Sequence, residues 1–302
     1  MTIEMPTAHT GSSRPGPEPA GTITQKRHRS RNRPVVVVSG ILLTITCVLM
    51  VLPFLWAAMA STKPTDVAFA NPPVFRYTPT FTAYVDLWQT TDFYVYLSNT
   101  LAVAVISTLV ALLVGIPCAY ALSRYGGIAS IVLLVAALVF RALPRFAVVL
   151  PMYDITQSLG IYDTTYAMAG ALIVINQPFT IWLLRNFFVE VPKELDEAAM
   201  VDGCTRVGVL TKIMLPLMGP GILTAGIFVF LFAFQEYLTA AVLTDTTSKT
   251  VPVFIATQLG QNLPLLQQAS AATVLLTLPV IGIAFVAQKY LVAGLASGAV
   301  KG

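Results

Sequence analysis

Long, almost uninterrupted apolar runs alternate with short polar segments along most of this sequence. A helix that crosses a bilayer needs roughly 20 mostly apolar residues, and six runs reach about that length. Because the runs are continuous and do not alternate every second residue, they predict membrane-spanning helices and not the strands of a membrane barrel. The predicted spans cover residues 35–60, 95–122, 128–150, 166–184, 219–242 and 269–292.

The composition agrees with a membrane protein. Of 302 residues, 56% are hydrophobic and 11% are charged, and the mean hydropathy is +0.76. One water-soluble core of this size cannot bury so much apolar surface. We therefore expect lipid to form part of the solvent, and the predicted fold class is an all-α membrane protein with six transmembrane helices.

The net charge of +4 is concentrated ahead of the first span. Positive side chains accumulate on the cytoplasmic side of membrane spans, so we predict a cytoplasmic N-terminus and, after six spans, a cytoplasmic C-terminus. This placement explains the basic excess without a nucleic-acid partner. The basic cluster consists of Lys26, Arg27, Arg29, Arg31 and Arg33.

Three regions follow from this pattern. Residues 1–33 form a basic cytoplasmic tail, and residues 1–25 are rich in Pro, Gly, Ser and Thr, which predicts disorder. Residues 34–293 form the transmembrane domain, with a long polar connection at 185–218. Residues 294–302 form a short cytoplasmic tail. The first apolar run is too long for the apolar region of a cleaved signal peptide.

Residues for enzyme chemistry are scarce. The patterns of nucleophile elbows and phosphate-binding loops are missing from the sequence, and both histidines, His9 and His28, lie in the tail. The spacing of Cys47, Cys118 and Cys204 fits neither a metal site nor a disulfide framework. The sequence thus predicts no catalytic residue, no metal and no cofactor bound by this chain, and an intramembrane enzyme is a weak alternative.

Polar residues inside the spans are the candidates for a substrate pathway, because polarity in lipid is costly. Arg141 and Arg145 lie late in the third span, where they contact substrate, reach the outer interface or pair with a neighbouring subunit. Asn176 and Gln177 precede Pro178 in the fourth span, where they line a pathway or bond to carbonyls that the proline frees.

The fifth span ends in an aromatic run followed by polar residues. Aromatic faces beside amide and carboxylate groups suit a polyhydroxylated ligand, whereas the alternatives are contact with lipid and, for Glu236, the outer interface. The predicted pathway residues are Arg141, Asn176, Gln177, Phe230, Phe234, Gln235, Glu236 and Tyr237.

The polar connection at 185–218 predicts two short helices. The first begins near Pro192, carries acidic residues in its first turn and ends near Val201. Gly203 supplies a positive φ or a close approach, and Asp202 is expected to cap the second helix. Pro216 is expected to end that helix. Its apolar face is predicted from Val207, Leu210, Ile213, Met214 and Leu217, which also suits an amphipathic elbow on the inner leaflet.

A family resemblance rests on this connection. The residues Glu197-Ala198-Ala199, Gly203 and Ile213-x-Leu215-Pro216 reproduce the pattern E-A-A-x-x-x-G-x9-I-x-L-P. This pattern resembles the signature of membrane subunits of binding-protein-dependent ABC importers. The stretches LLRNFFVEVPKELDEAAMVDG, STKPTDVAFANPP and LPMYDITQSLGIYDT are similar to maltose-type sugar permeases. The similarity extends over residues 35–292.

The resemblance implies a type I ABC importer permease fold in a bacterial inner membrane. It implies that the connection forms cytoplasmic coupling helices, which dock on a dimer of ATP-binding subunits that uses ATP and Mg. It also implies a second homologous permease subunit, an extracytoplasmic solute-binding protein and a sugar-type substrate. The implied coupling residues are Glu197, Ala198, Ala199, Asp202, Gly203, Ile213, Leu215 and Pro216.

The substrate stays open within this resemblance. Many maltose-type permeases carry Trp-Asn in the fifth span where this chain has Phe234 and Gln235, so their sugar contacts do not carry over directly. Two arginines in the third span suit a glycerol-phosphate-like substrate as the alternative to a sugar or polyol. A self-contained, ion-coupled secondary transporter is a further alternative.

Overall fold

The computed structural model describes residues 33–68, 70–259 and 263–299. The described residues contain helices and no strand. Of the tails predicted at 1–33 and 294–302, residues 1–32 and 300–302 lie outside the described residues. Arg33 begins the first helix, and the last helix continues through residues 294–299. The helices are α1 (Arg33–Thr62), α2 (Thr82–Thr90), α3 (Phe93–Arg124), α4 (Ile128–Ala142), α5 (Arg145–Ser158), α6 (Thr165–Glu190), α7 (Glu194–Val201), α8 (Arg206–Val209), a π-helical turn (Leu210–Met214), α9 (Leu215–Leu217), α10 (Gly219–Phe234), α11 (Leu238–Leu243), α12 (Val251–Gln258) and α13 (Leu263–Ala299).

Four helices of the described chain are long and apolar enough to cross a membrane by themselves, and two bent pairs raise the number to six if each pair is one span. The four are Val36–Thr62, Phe93–Arg124, Thr165–Glu190 and Leu265–Gln288. The predicted all-α membrane fold is confirmed. The described residues up to Met50 form one compact unit, and those from Val51 onward form a second unit, which holds every site described below.

The third predicted span, 128–150, is wrong as a single helix. The chain bends by 89° between Ser130–Ala142 and Arg145–Ser158. Leu143 has an extended conformation with ψ of 147°, because the ring of Pro144 disfavours the helical region for the residue before it. Pro144 immediately precedes the first residue of α5. An N–H at this position would have no partner in the helix, so the N–H that proline lacks costs no helical hydrogen bond.

The fifth predicted span, 219–242, is also interrupted. Helix α10 ends at Phe234, and the chain is not helical again until α11 begins at Leu238. Glu236 explains the break, since its Oε1 accepts hydrogen bonds from the backbone N–H and the hydroxyl of Thr239. A side chain that satisfies the first donors of the next helix starts a new helix and does not extend the old one.

Helices α3 and α6 form the centre of the second unit. Between residues 103 and 119, every fourth residue of α3 is buried and is either small or β-branched. Such residues let the two helices approach closely. A Cβ placed on Gly115 would meet Thr180 and Gln177 of α6. The buried series is Val103, Ser107, Ala111, Gly115 and Ala119.

The two ends of this helix pair carry different structures. At the start of α3, Asn99 donates to the carbonyls of Thr247 and Lys249, and Thr100 accepts from the N–H of Val251. At the other end, α7 follows α6 directly. Since α6 has 26 residues, the two ends lie about 39 Å apart.

Candidate functional site

Helix α7 lies at the junction between α6 and the segment that leads into α10. Three acidic residues in its first turn, Glu194, Asp196 and Glu197, lie at the positive end of the helix dipole. The helix ends at Val201, as predicted, and Gly203 has φ of +87°. The N–H of Cys204 donates to Ala199 O at 2.9 Å, and the N–H of Gly203 donates to Met200 O at 3.1 Å. This is a Schellman turn, which requires the positive φ.

Asp202 does not cap the second helix, so that prediction is wrong. Its own N–H donates to Ala198 O at 3.0 Å, which makes Asp202 the C-cap that follows Val201 at the end of the first helix. The left-handed turn at Gly203 then redirects the chain. Thr205 caps the following helix, since its Oγ1 accepts a hydrogen bond from the N–H of Gly208 at 3.2 Å.

The apolar face of the second helix is only partly as predicted. Leu210, Ile213 and Met214 pack in the core, but Val207 and Leu217 are 71% and 52% exposed. The π-helical turn explains the change, since the N–H of Leu215 donates to Leu210 O, five residues back. Fully buried side chains consequently lie five residues apart, at Val209 and Met214.

Pro216 lies inside this segment and does not end it. The helical segment runs from Arg206 to Leu217, and the chain then bends by 80° into Gly219–Phe234. Proline has no N–H to donate and its ring crowds the preceding turn. The wide turn just before Pro216 accommodates both effects, so the helix continues for one more residue.

Helix α7 has one buried face and one exposed face. Asp196 and Ala199 are 6% exposed, whereas Glu197 and Ala198 are exposed to solvent. Ala199 packs in an apolar cluster formed by the ends of α3 and α6 and by the second helix. Of the residues in the E-A-A pattern, therefore, one alanine is anchored inside the protein and the glutamate is free to contact another molecule.

Two residues that the sequence analysis did not select fix this helix. Arg124, the last residue of α3, donates from Nε to Oδ2 of Asp196 at 2.7 Å, and Tyr120 donates its hydroxyl to the same oxygen at 2.9 Å. By its position in the sequence, Asp196 is one of the acidic residues of a first helical turn, which favours the helix dipole and indicates no specific partner. The signal for such a pair is a basic residue at the end of one apolar span and an acid in a polar connection predicted on the same side of the membrane.

The predicted pathway residue Arg141 and the nearby Arg145 make contacts within the chain. The guanidinium of Arg141 lies over the rings of Phe179 and Phe232, with centroids at 4.9 and 5.1 Å. Arg145 pairs with Glu236 at 3.5 Å, and its side chain is 42% exposed. Glu236 therefore joins α5 to the start of α11.

Asn176 and Gln177 lie on the packed side of α6. Asn176 is 2% exposed, and Gln177 donates from Nε2 to Ala111 O on α3 at 3.4 Å. Gln177 thus bonds across the helix pair and not to a carbonyl freed by Pro178 in its own helix. Gln177 therefore contributes to the contact between α3 and α6, and Asn176 is buried beside it in the sequence.

The residues at the end of α10 separate into buried and open positions. Phe234 is fully buried and stacks on Phe230 with centroids 5.5 Å apart. Phe230 borders an apolar cleft of 610 Å³. Tyr237 is 48% exposed. Gln235 lines a different, more polar cleft of 520 Å³, together with Pro252, Ile255, Thr273, Leu276, Thr277 and Val280.

A second polar structure lies at the opposite end of α6. Asp163 has φ of +55°, and its carboxylate accepts hydrogen bonds from the consecutive N–H groups of Asp245 through Ser248 at 2.8 to 3.1 Å. Burial alone would raise the pKa of this carboxyl, but the backbone N–H donors and the Ser248 hydroxyl outweigh burial and hold the pKa well below its usual range.

Known proteins are similar to this chain in sequence. Residues 111–297 match the family described as "Binding-protein-dependent transport system inner membrane component". The probable ABC transporter permease protein y4oR of Sinorhizobium fredii is 37% identical over 255 residues, which cover 82% of this chain and 90% of that protein. The trehalose/maltose transport system permease protein MalG of Thermococcus litoralis is 32% identical over 281 residues, covering 91% and 99%.

A solved structure has the same fold. A bacterial ABC transporter involved in the import of the acidic polysaccharide alginate contains a chain that superposes with a TM-score of 0.71 at 23% identity, covering 86% of this chain and 98% of that one. The family match spans more than half of the sequence, and two relatives above 30% identity are covered over most of their length. This chain therefore belongs to the family of inner membrane components of binding-protein-dependent transport systems.

Proposed function

We propose that this chain is a permease subunit of an ATP-driven importer that carries a sugar or related polyol delivered by an extracytoplasmic solute-binding protein. The observation that carries this proposal is the division of α7 into two faces. Asp196 and Ala199 are held inside the protein, whereas Glu197 and Ala198 are exposed. A short helix that is anchored on one side and free on the other suits the transmission of movement from a partner.

The partner in this proposal is a dimer of ATP-binding subunits on the cytoplasmic side. ATP and Mg are bound there and not by this chain. Glu197 makes polar contacts with the partner, and the small side chain of Ala198 lets the two surfaces approach. The Schellman turn at Gly203 fixes the direction in which the chain leaves the docking helix. This orientation requires both termini of the chain to be cytoplasmic.

The membrane part of the proposal includes a second, homologous permease subunit. Closure of the ATPase dimer moves α7, and the connection at 185–218 passes this movement to α6 and α10, which flank it. The two permease subunits then open their shared cavity alternately to the outside and to the inside. Gln235, in the 520 Å³ cleft, is a candidate for lining that cavity in this chain.

A sugar or polyol is favoured over a glycerol-phosphate-like substrate. Of the two arginines that suited a phosphate, Arg145 is paired with Glu236, and the guanidinium of Arg141 lies over two aromatic rings. A relative's name refers to trehalose and maltose, and the solved structure to alginate. All three are carbohydrates, which supports the same substrate class here.

Deletion and complementation in the native host test the proposal. We expect a strain without this chain to lose uptake of one carbohydrate, with ¹⁴C-labelled trehalose and maltose as the first probes. Glu197→Lys should reach the membrane but bring down less of the ATP-binding subunit when purified through an affinity tag. Asp86→Lys reverses an exposed acid on α2 and is the matched control. Normal co-purification with Glu197→Lys would refute the docking role.

The same strains separate an ATP-driven importer from an ion-coupled transporter. Uptake by the proposed importer requires the ATP-binding subunit, so its deletion should abolish uptake as completely as deletion of this chain. Uptake that continues without that subunit and stops when the proton gradient is dissipated would instead support a secondary transporter.

A further inference from the structure

The pair formed by Arg124 and Asp196 is unusual for its position and its burial. The two side chains are 6% and 8% exposed, although they lie at the end of a membrane span, where long charged side chains normally reach water. Arg124 contacts Asp196 through two nitrogens, Nε to Oδ2 at 2.7 Å and Nη2 to Oδ1 at 3.3 Å. This two-point contact fixes the orientation of both groups as well as their distance.

The guanidinium also holds the end of α6. Its Nη1 donates to Phe188 O at 3.0 Å and to Val191 O at 3.1 Å, at the end of α6 where helix carbonyls lack their usual N–H partners. Phe188 O also accepts a longer hydrogen bond, at 3.3 Å, from the N–H of Val191. One side chain thereby joins the end of α3, the end of α6 and the first turn of α7.

Tyr120 completes this cluster. Its hydroxyl donates to Oδ2 of Asp196 at 2.9 Å, and its ring packs edge-on against Phe188 with centroids 5.6 Å apart. The carboxylate thus accepts from three directions, and α7 cannot rotate about its own axis without breaking several of these bonds. We refer to Tyr120, Arg124 and Asp196 as the α7 joint.

Stability alone does not explain such a joint. Removing two charges from water is costly, and well-packed apolar residues often replace a buried ion pair without loss of stability. What an apolar contact does not supply is direction, because apolar surfaces slide and rotate against each other at little cost. A bidentate ion pair with two further carbonyl contacts keeps the three helix ends in one arrangement.

We propose that Arg124 and Asp196 are positioning residues that make α7, α3 and α6 move as one body, so that displacement of the exposed face of α7 reaches two membrane helices at once. This inference rests on the proposed function, in which an ATPase displaces α7. Glu197 receives the movement, and the α7 joint carries it into the membrane.

The test uses a double variant, Arg124→Met with Asp196→Leu, which replaces the ion pair by apolar side chains of similar size. The transporter is purified with its ATP-binding subunit from a strain in which Cys47, Cys118 and Cys204 are replaced by serine. Gln235→Cys, in the 520 Å³ cleft, then reports opening through its labelling by a membrane-impermeant maleimide, with and without ATP, Mg²⁺ and vanadate.

In the parent transporter we expect ATP, Mg²⁺ and vanadate to change the labelling rate at position 235. In the double variant the ATP-binding subunit should still co-purify and hydrolyse ATP. The ATP-dependent change in the labelling rate should be smaller by about fivefold or more, because coupling between two sites usually amounts to a factor of about five or more. An unchanged response in the double variant, with the subunit attached, would overturn the inference.

A milder variant covers the case in which the double variant does not reach the membrane. Tyr120→Phe removes one hydrogen bond to Asp196 and keeps the ring against Phe188. We expect a smaller reduction of the labelling response, and a full response would overturn the inference. If the parent transporter binds no ATPase or shows no response, the proposed function fails, and this outcome is distinct from failure of the joint.

Discussion

A Cβ atom on Gly115 of α3 would lie 2.9 Å from Cγ2 of Thr180 on α6, closer than real Cβ contacts allow. The backbone of α3 is therefore in direct contact with side chains of α6 at this point, in the second half of α3. Without a hydrophobic driving force between helices in lipid, such close packing is a main source of association between spans.

This contact predicts that Gly115→Ala destabilises the protein by about 1–3 kcal/mol, the usual cost of overpacking. Thr180→Ser removes the crowding methyl group and keeps the hydroxyl that donates to Asn176 O, so the double variant should recover part of the loss. The measurement is the thermal unfolding midpoint in detergent. Gly170→Ala is the control, because no heavy atom lies within 4 Å of its Cβ position. Equal midpoints for the two alanine variants would contradict the prediction.

Gly203 gives a second prediction, which concerns conformation and not space. No atom lies within 4 Å of a Cβ at this position, but φ is +87°. Gly203→Val should cost about 1–2 kcal/mol, the penalty of the left-handed region for an L-residue, and Gly203→Asn should cost less. Hydrogen exchange in residues 199–205 should rise about 5- to 30-fold in the valine variant.

The control for Gly203 is Gly219→Ala, which has the same freedom from crowding and no positive φ. The order of effects is the decisive result. If the asparagine and valine variants exchange equally fast, the turn does not depend on the left-handed conformation.

Phe234 and Gln235 are adjacent in the chain, but they should behave in opposite ways. Phe234 is fully buried, so Phe234→Ala should lower stability by about 3–5 kcal/mol. Gln235 is exposed in the 520 Å³ cleft, so Gln235→Ala should leave the unfolding midpoint unchanged and raise the KM for uptake about two- to tenfold, through the loss of one hydrogen bond. Uptake and thermal unfolding on the same preparations distinguish the two. A normal KM for Gln235→Ala would remove this residue from the pathway.

Asp163 predicts a pH range. Its pKa lies far below the unfolded value of about 3.9, so the stability that the carboxylate contributes is fully present above about pH 4 and is lost only as the pH falls through the lower folded pKa. Protection of residues 245–248 against hydrogen exchange should therefore stay constant from about pH 5 to pH 8.

Asp163→Asn should lower this protection about tenfold or more, because an amide has one acceptor oxygen and turns N–H donors towards the backbone N–H groups. Asp154→Asn, at an exposed acid of α5, is the control and should have no effect on this loop. A pH-dependent loss of protection between pH 5 and pH 7 in the unmodified protein would show that another group holds the loop.

The sequence by itself determined the class of the protein and its approximate spans. Apolar runs long enough to cross a bilayer predicted α3 and α6 to within a few residues at most boundaries, because continuous hydrophobicity is a local property. The spacing from Glu197 to Pro216 predicted the family, which the comparisons confirmed. Gly203 was predicted to have a positive φ or a close approach, and the structure has the positive φ.

Only the tertiary structure decided which polar residues face each other. Arg124 and Asp196 are 72 residues apart in the chain, and Asp163 lies 82 residues before the first amide that it binds. The tertiary structure also decided that Phe234 lies in the core whereas its neighbour Gln235 lies in a cleft. It likewise decided that Gln177 donates a hydrogen bond to α3. Hydrophobic periodicity reports how apolar a helix is, but the partner of each face depends on the helix that packs there, and that contact is not encoded in any local stretch of sequence.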